Sequence, residues 1–142
     1  MIKKLLIIIP LLPLCSYASD VGCAAVGASM ESSLFKAIKI HSSTVQRDKT
    51  TVEVINISPV SELYAESLAK ADHANDVANG KFPLSESDYF SSYYENNTKS
   101  ITAKYTYTNK HGKKDVFIAS SLMNKDECSV RFNGYITLSR EF

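Results

Sequence analysis

The stretch ITAKYTYT, residues 101–108, decides the fold of this chain. Apolar or aromatic side chains at positions 101, 103, 105 and 107 alternate with polar ones at 102, 104, 106 and 108. Because successive side chains of a strand point to opposite faces of a sheet, this alternation predicts a strand with one buried face. Residues 101–108 therefore place a sheet against a core.

Two more strands are predicted after this one. Residues 109–112, Asn-Lys-His-Gly, are typical of a turn, and residues 116–123 are mostly apolar. Residues 124–127 predict a polar turn, and residues 128–139 a third strand in which Asn133-Gly134 forms a bulge or bend. The last third of the chain therefore predicts a three-stranded antiparallel meander.

A β-hairpin is predicted upstream. Within residues 34–45, Phe35, Ile38 and Ile40 are interleaved with lysines, and residues 50–57 contain a β-branched run. Residues 46–49, Gln-Arg-Asp-Lys, suit the turn between them. We therefore expect residues 34–45 and 50–57 to pair as neighbouring strands.

Two helices are predicted between the hairpin and the meander. The first begins at Ser58-Pro59, because serine caps free N–H groups and proline already has a helical φ, and it ends at Asn79-Gly80. The second begins at Ser85, which forms a capping box with Asp88, and runs to about Glu95. The expected fold is α+β: a β-hairpin, two helices, then a three-stranded antiparallel meander, with the helices packed on one face of the sheet.

The N-terminus has the pattern of a cleavable secretory signal. Lys3 and Lys4 give a positive start, residues 5–14 are apolar, and Ser16 and Ala18 are the small residues before the presumed cut. The apolar run is far shorter than the roughly 20 residues that span a bilayer. We expect residues 1–18 to be removed, which leaves residues 19–142 as one periplasmic or secreted bacterial domain without an integral membrane segment.

Removal of the signal changes the charge balance. The chain has 16 lysines and arginines against 15 acidic residues, and loss of Lys3 and Lys4 leaves 14 basic residues. Binding of nucleic acid needs several clustered cations that displace counterions from phosphates. A near-neutral chain without a basic run is therefore not expected to bind nucleic acid.

The cysteines agree with an oxidising compartment. Cys15 would leave with the signal, and because Leu14 stands where a lipobox has a small residue, lipoprotein anchoring at Cys15 is not expected. The remaining Cys23 and Cys128, 105 positions apart, predict one disulfide, worth up to about 4 to 5 kcal/mol in the loop-entropy model. Two unpaired buried thiols are the alternative. Residues 19–33 fit either a short helix around Cys23 or a lead-in segment held by the disulfide.

Residues that carry catalysis or bind metals do not converge in the sequence. His41, His73 and His111 fall in three different elements, and Asp72 with Asp76 lack the second histidine of a helical zinc motif. Neither a Gly-x-Ser-x-Gly elbow nor a glycine-rich phosphate loop occurs in the sequence. Because no such groups converge, we expect no enzyme activity, no cofactor and no metal. A small hydrolase is the remaining alternative, and it would need a cleft that gathers His41 or His73 with an acid.

The second predicted helix has an excess of aromatic side chains among acidic ones. Tyrosine combines a large rigid contact area with a polar tip, which suits a protein-binding face. The alternative is that one aromatic pair packs on the sheet and the other is half exposed. The predicted partner-binding residues are Glu86, Asp88, Tyr89, Tyr93 and Tyr94.

The organisation of the chain resembles that of a known class of proteins. Residues 110–114, Lys-His-Gly-Lys-Lys, lead into a strand and then to Cys128. Together with the export signal, the single disulfide and the helices against an antiparallel sheet, this resembles small periplasmic immunity or inhibitor proteins such as the colicin M immunity protein. The resemblance implies a protein that neutralises a partner protein, for example a toxin or an envelope enzyme, and it carries over no functional residue.

A second class of function fits the same features. An accessory structural or chaperone subunit of an envelope or secretion apparatus could add strands to a partner through the exposed edge of the meander. A neighbouring toxin gene favours the immunity function, and an operon of machine components favours the accessory subunit. The sequence leaves the oligomeric state open.

Overall fold

The computed structural model describes residues 26–142, with side chains from Met30 onward. These residues form the helices α1 (Val26–Ile38), α2 (Glu62–Ala78) and α3 (Glu86–Tyr94), and the strands β1 (Thr51–Pro59), β2 (Lys99–Thr108), β3 (Lys114–Met123) and β4 (Arg131–Ser139). Two short 3-10 turns, Ser42–Thr44 and Arg47–Lys49, lead from α1 to β1. The predicted signal, residues 1–18, lies outside the described residues. Between residues 26 and 142, no helix is long and apolar enough to cross a membrane.

The strands form one antiparallel sheet in the order β1-β2-β3-β4. The α+β class and the meander of β2, β3 and β4 are therefore confirmed. Ile101, Tyr105 and Tyr107 are at most 1% exposed, as the alternation in residues 101–108 predicts. Asn133 is the extra residue of a bulge in β4, and Gly134 beside it has a φ of +114°, which favours glycine.

The predicted strand over residues 34–45 is wrong. Met30, Leu34 and Ile38 recur at every fourth position, so they form one apolar face of α1, and each is at most 2% exposed. Residues beyond Ile38 continue as 3-10 turns, and Val45 forms an isolated bridge with Asn109. β1, the second strand of the predicted hairpin, therefore pairs with β2 instead.

The predicted helix boundaries are partly correct. Ser58 and Pro59 end β1, and α2 is capped instead by Ser61, whose Oγ accepts the N–H of Tyr64 at 3.2 Å. The predicted end near Asn79 is confirmed. The predicted cap of α3 is also confirmed, since Oγ of the N-cap serine at position 85 accepts the N–H of the residue three positions on at 3.1 Å.

The two predicted helices, α2 and α3, pack on one face of the sheet, and α1, which stands where a strand was predicted, covers the other face. α1 covers the face that contains Phe117, Ala119 and Met123, which alternate along β3. Leu122 points to the other face, where it packs with Val60 and with residues of α2 and α3. The α2–α3 hairpin, inserted between β1 and β2, therefore sits against the opposite face at one end of the sheet.

A buried carboxylate holds the end of the chain. Asp115 is 0% exposed, and its Oδ1 accepts the N–H groups of Glu141 and Phe142 at 2.6 and 3.1 Å. Arg140 donates from Nη2 to the carbonyl oxygen of Ile38 at 3.1 Å, which ties the same segment to the end of α1. The C-terminal residues thus form part of the packed structure.

Candidate functional site

The α2–α3 hairpin has an inner face built on small and acidic side chains. Ala65, Ala69, Asp72 and Asp76 follow one another at spacings of three or four residues, so they share one face of α2. Ala65 and Ala69 are 0% and 2% exposed. Small side chains here bring α3 close to α2, and the two aspartates can then reach the tyrosines of α3.

Asp72 joins both helices to the sheet. Its Oδ2 accepts the Tyr93 hydroxyl at 2.7 Å and Nε of Arg131 at 2.6 Å, while its Oδ1 accepts Nη2 of Arg131 at 2.7 Å. The hydrogen bond from Arg131 holds the pKa of Asp72 below its usual value, against the opposing effect of burial. Burial and the bond to Asp72 raise the pKa of Tyr93, so its hydroxyl stays protonated. One carboxylate thus links α2, α3 and β4.

Asp76 makes a similar contact one turn further along α2. The Tyr89 hydroxyl donates to its Oδ2 at 2.5 Å, and Nζ of Lys81 donates to its Oδ1 at 3.1 Å. The hydrogen bond from Tyr89 lowers the pKa of Asp76 and raises that of Tyr89. His73 contacts the loop between α2 and α3, since its Nδ1 lies 2.8 Å from the carbonyl oxygen of Leu84. Both aspartates of the inner face are therefore bonded within the chain.

The outer face of α3 has a different composition. Glu86, Phe90 and Tyr94 lie four residues apart, so they form one row along the helix. The rings of Phe90 and Tyr94 stack with their centroids 5.2 Å apart, and Tyr94 is 41% exposed. We call this row the outer face.

A groove between α2 and α3 continues from the outer face. It has a volume of about 320 Å³, near the lower end for ligand pockets, so it suits one side chain of a partner. Its three carboxylates against one ammonium give it a net negative charge, and we call it the acidic groove. Its lining includes Glu62, Glu66, Ala69, Lys70, Glu86 and Phe90.

The structure divides the five predicted partner-binding residues between these two faces. Glu86 lines the acidic groove, Tyr94 lies on the outer face, and Asp88 is exposed at the start of α3. Tyr89 and Tyr93 instead donate their hydroxyls to the aspartates of α2, and Tyr93 is 5% exposed. Glu86, Asp88 and Tyr94 are therefore accessible to a partner, and the binding role of all five stays a prediction.

Glutamate and phenylalanine side chains of this surface were not among the residues predicted from the sequence. Glu62 and Glu66 come from α2, and Phe90 stands between Glu86 and Tyr94 on α3. Their spacing of four residues within each helix is a visible signal. The sequence does not show that the two rows face each other across one groove.

The predicted disulfide falls partly outside the described residues. Cys128 is exposed in the turn between β3 and β4, and it is disulfide-bonded. Cys23 lies outside the described residues, so its pairing with Cys128 stays a prediction.

A second cleft, of about 440 Å³, lies beside α1 and brings His41 near an acid. The acid is Glu31, but both of its carboxylate oxygens accept Nη1 of Arg47, at 2.8 and 2.7 Å. Nδ1 of His41 lies 2.7 Å from Oγ of Ser43, and both side chains are exposed. A Ser–His catalytic pair needs a third group that orients the histidine, and no acid in the described chain bonds to His41. Within residues 26–142, no group of three or more His, Cys, Asp or Glu is placed to hold a metal ion.

No protein-family model, no curated protein and no solved structure matches this chain. The fold and the site define its class instead: a small α+β domain whose accessible acidic and aromatic side chains lie on a helical hairpin.

Proposed function

We propose that this chain is an exported protein-binding domain of the immunity or inhibitor type, which neutralises a partner protein through the acidic groove and the outer face. The observation that carries the proposal is the shared surface of Glu86, Phe90 and Tyr94 with the glutamates of α2. It offers charge, aromatic area and a groove in one place. Such a combination suits the central contacts of a protein interface.

The charge of the groove selects the chemistry of the partner. Glu62, Glu66 and Glu86 attract a lysine or arginine, and the apolar stem of such a side chain can lie along Ala69 and Phe90. A guanidinium over the Phe90 ring would add a cation–π contact. The expected partner therefore presents a basic segment, as a toxin or an envelope enzyme with a cationic loop does.

The inner face supports binding by holding the hairpin in shape. Asp72 and Asp76 fix the tyrosines of α3, and Arg131 fixes α2 to the sheet. A surface that is already rigid loses less conformational entropy when a partner binds. The inner and outer faces therefore have separate roles, one structural and one in contact with the partner.

The export signal and the disulfide belong to the same proposal. Cleavage after Ala18 would release the domain into the periplasm or the medium, where a Cys23–Cys128 disulfide is stable. Mass spectrometry of the protein recovered from the periplasm measures both features, since cleavage and oxidation each change the mass by a known amount.

The proposed interface is tested by co-purification of the tagged protein from its own periplasm. We expect a basic partner protein to come along, and Tyr94→Ala combined with Glu86→Lys to weaken its binding by at least about tenfold, or ~1.4 kcal/mol. Tyr64→Ala is the matched control, because Tyr64 is 38% exposed and lies on α2 outside the groove lining. Equal binding by the folded double variant and by Tyr64→Ala would refute this surface as the interface.

A further inference from the structure

β1 forms an edge of the sheet that the rest of the described chain leaves open. Residues 51–57 are all exposed, and β2 pairs with the other side of the strand. A free edge presents unpaired N–H and C=O groups to any strand that approaches. β1 is therefore able to accept one more strand.

Apolar side chains along β1 extend the buried core out to this edge. Val52, Val54 and Ile57 are 44%, 49% and 39% exposed. They pair in register with the buried residues Tyr105, Ala103 and Ile101 of β2, so they lie on the face that α1 covers further along the sheet. We call these three residues the β1 shelf.

β1 has few of the features that protect sheet edges. Its single charged residue, Glu53, lies on the face away from the shelf, opposite Lys104 of β2. The bulge at Ile55 and the proline at position 59 are such features, but Ile55 is itself apolar and 51% exposed, and Pro59 stands at the last position of the strand. A nine-residue edge with apolar side chains on one face is suited to pairing with another strand.

We propose that a second copy of this chain docks on β1, so that two β1 strands pair antiparallel about a two-fold axis and two sheets become one. The bulge determines the register: Val54 and Ile57 lie on the same face although their separation is odd. With the axis between Ile55 and Asn56, Val54 meets Ile57 of the second copy, and Glu53 meets Ser58 of the second copy. Apolar side chains then face apolar ones, and no like charges are directly opposite.

The charges at the two ends of β1 favour the same arrangement. Lys49 precedes the strand and Glu62 follows it, and both side chains are exposed. Neither forms an ion pair with another described residue; the cation beside Lys49, Arg47, is already bound to Glu31. The proposed register brings Lys49 of each copy level with Glu62 of the other, so the pair forms twice. A parallel arrangement would place lysine beside lysine and glutamate beside glutamate.

The proposal is tested by sedimentation velocity of the purified protein, residues 19–142, over a wide concentration range. We expect a reversible dimer that Val54→Lys abolishes while circular dichroism shows a folded chain. The matched control is Ile136→Lys on the opposite edge strand, β4, where the side chain is 64% exposed; this variant should dimerise normally. A chain that stays monomeric at every concentration, or a dimer lost with Ile136→Lys and kept with Val54→Lys, would overturn the proposal.

A charge exchange tests the register without altering the strand itself. Lys49→Glu and Glu62→Lys should each raise the dimer dissociation constant by about tenfold, since two rim pairs become repulsive. The double variant restores both pairs in reverse and should return the dissociation constant to within about threefold of the original. Two single effects that simply add in the double variant would rule out the proposed antiparallel register.

Discussion

The two clusters of buried residues in this domain are held together by different chemistry. Beneath α1, Leu34, Tyr105 and Phe117 are fully buried. The ring of Tyr107 contacts those of Phe35, Tyr105 and Phe117 at centroid distances of 5.0, 5.9 and 6.2 Å. Within the α2–α3 hairpin, the apolar contribution is small, and Asp72 and Asp76 bind tyrosines and cations instead.

The stability of the cluster beneath α1 therefore depends on apolar burial, whereas that of the α2–α3 hairpin also depends on the charge of its aspartates. Apolar burial depends on area and shape and is nearly independent of pH. A carboxylate that binds an arginine and a tyrosine depends on its own charge. The α2–α3 hairpin is therefore expected to be the less stable of the two units.

Truncation beneath α1 should have the largest effect. Phe117→Ala removes a fully buried ring that contacts Tyr107 and Tyr135, and should lower the free energy of unfolding by about 4 kcal/mol. Urea denaturation measures this. Val77→Ala, at a 57% exposed position of α2, is the control and should change stability by less than about 0.5 kcal/mol. A loss below about 1 kcal/mol for Phe117→Ala would contradict the comparison.

Removal of the Asp72 carboxylate should have the next largest effect. Asp72→Ala leaves a partly buried guanidinium and the Tyr93 hydroxyl without their acceptor, and should lower the free energy of unfolding by about 2 to 3 kcal/mol. Asp72→Asn keeps one acceptor oxygen, so it should lower the free energy of unfolding by about half as much as Asp72→Ala does. Hydrogen exchange should show the loss of protection in α2 and α3 first. Uniform loss over the whole sheet would mean that the hairpin is not a separate unit.

The pH dependence should be a smaller effect of the same contact. Because folding lowers the pKa of Asp72 below 3.8, its stabilisation is complete above that value and is lost as the pH falls through it towards the folded pKa. Acid titration of stability should therefore be steeper for the natural chain than for Asp72→Asn. Parallel curves would show that Asp72 is not linked to folding. Protonation of Asp72 should reduce stability less than Asp72→Ala does, because a protonated carboxyl still offers an oxygen to Tyr93.

Local patterns predicted the elements whose burial is set by their own sequence. The alternation in residues 101–108 and the capping serine at position 85 needed no distant partner. In residues 34–45, Leu34 and Ile38 fit a helical period while Ile38 and Ile40 fit a strand period. Burial of Met30, Leu34 and Ile38 against the sheet favours the helical period. Tertiary packing, rather than propensity, chose the helix.

The site was harder to predict for a related reason. The sequence shows the charges of Glu86 and Asp88 and the aromatic residues of α3. It does not show which of these side chains point towards α2 and which point away from it. Tyr93 points inward because Asp72 and Arg131, the latter 59 positions from Asp72, meet there. A contact over that distance leaves no local pattern, so the division of α3 into an inner and an outer face appears only in the folded chain.

The insertion of the hairpin between β1 and β2 has a consequence for the order of folding. β2, β3 and β4 are joined by short turns, whereas Pro59 pairs with Lys99 across the whole of α2 and α3. Closing a long loop has an entropic cost that short turns avoid, and non-local pairing slows folding. We therefore expect the meander to assemble before β1 joins it. β1, the strand proposed to form the dimer, should then pair last on folding and detach first on unfolding.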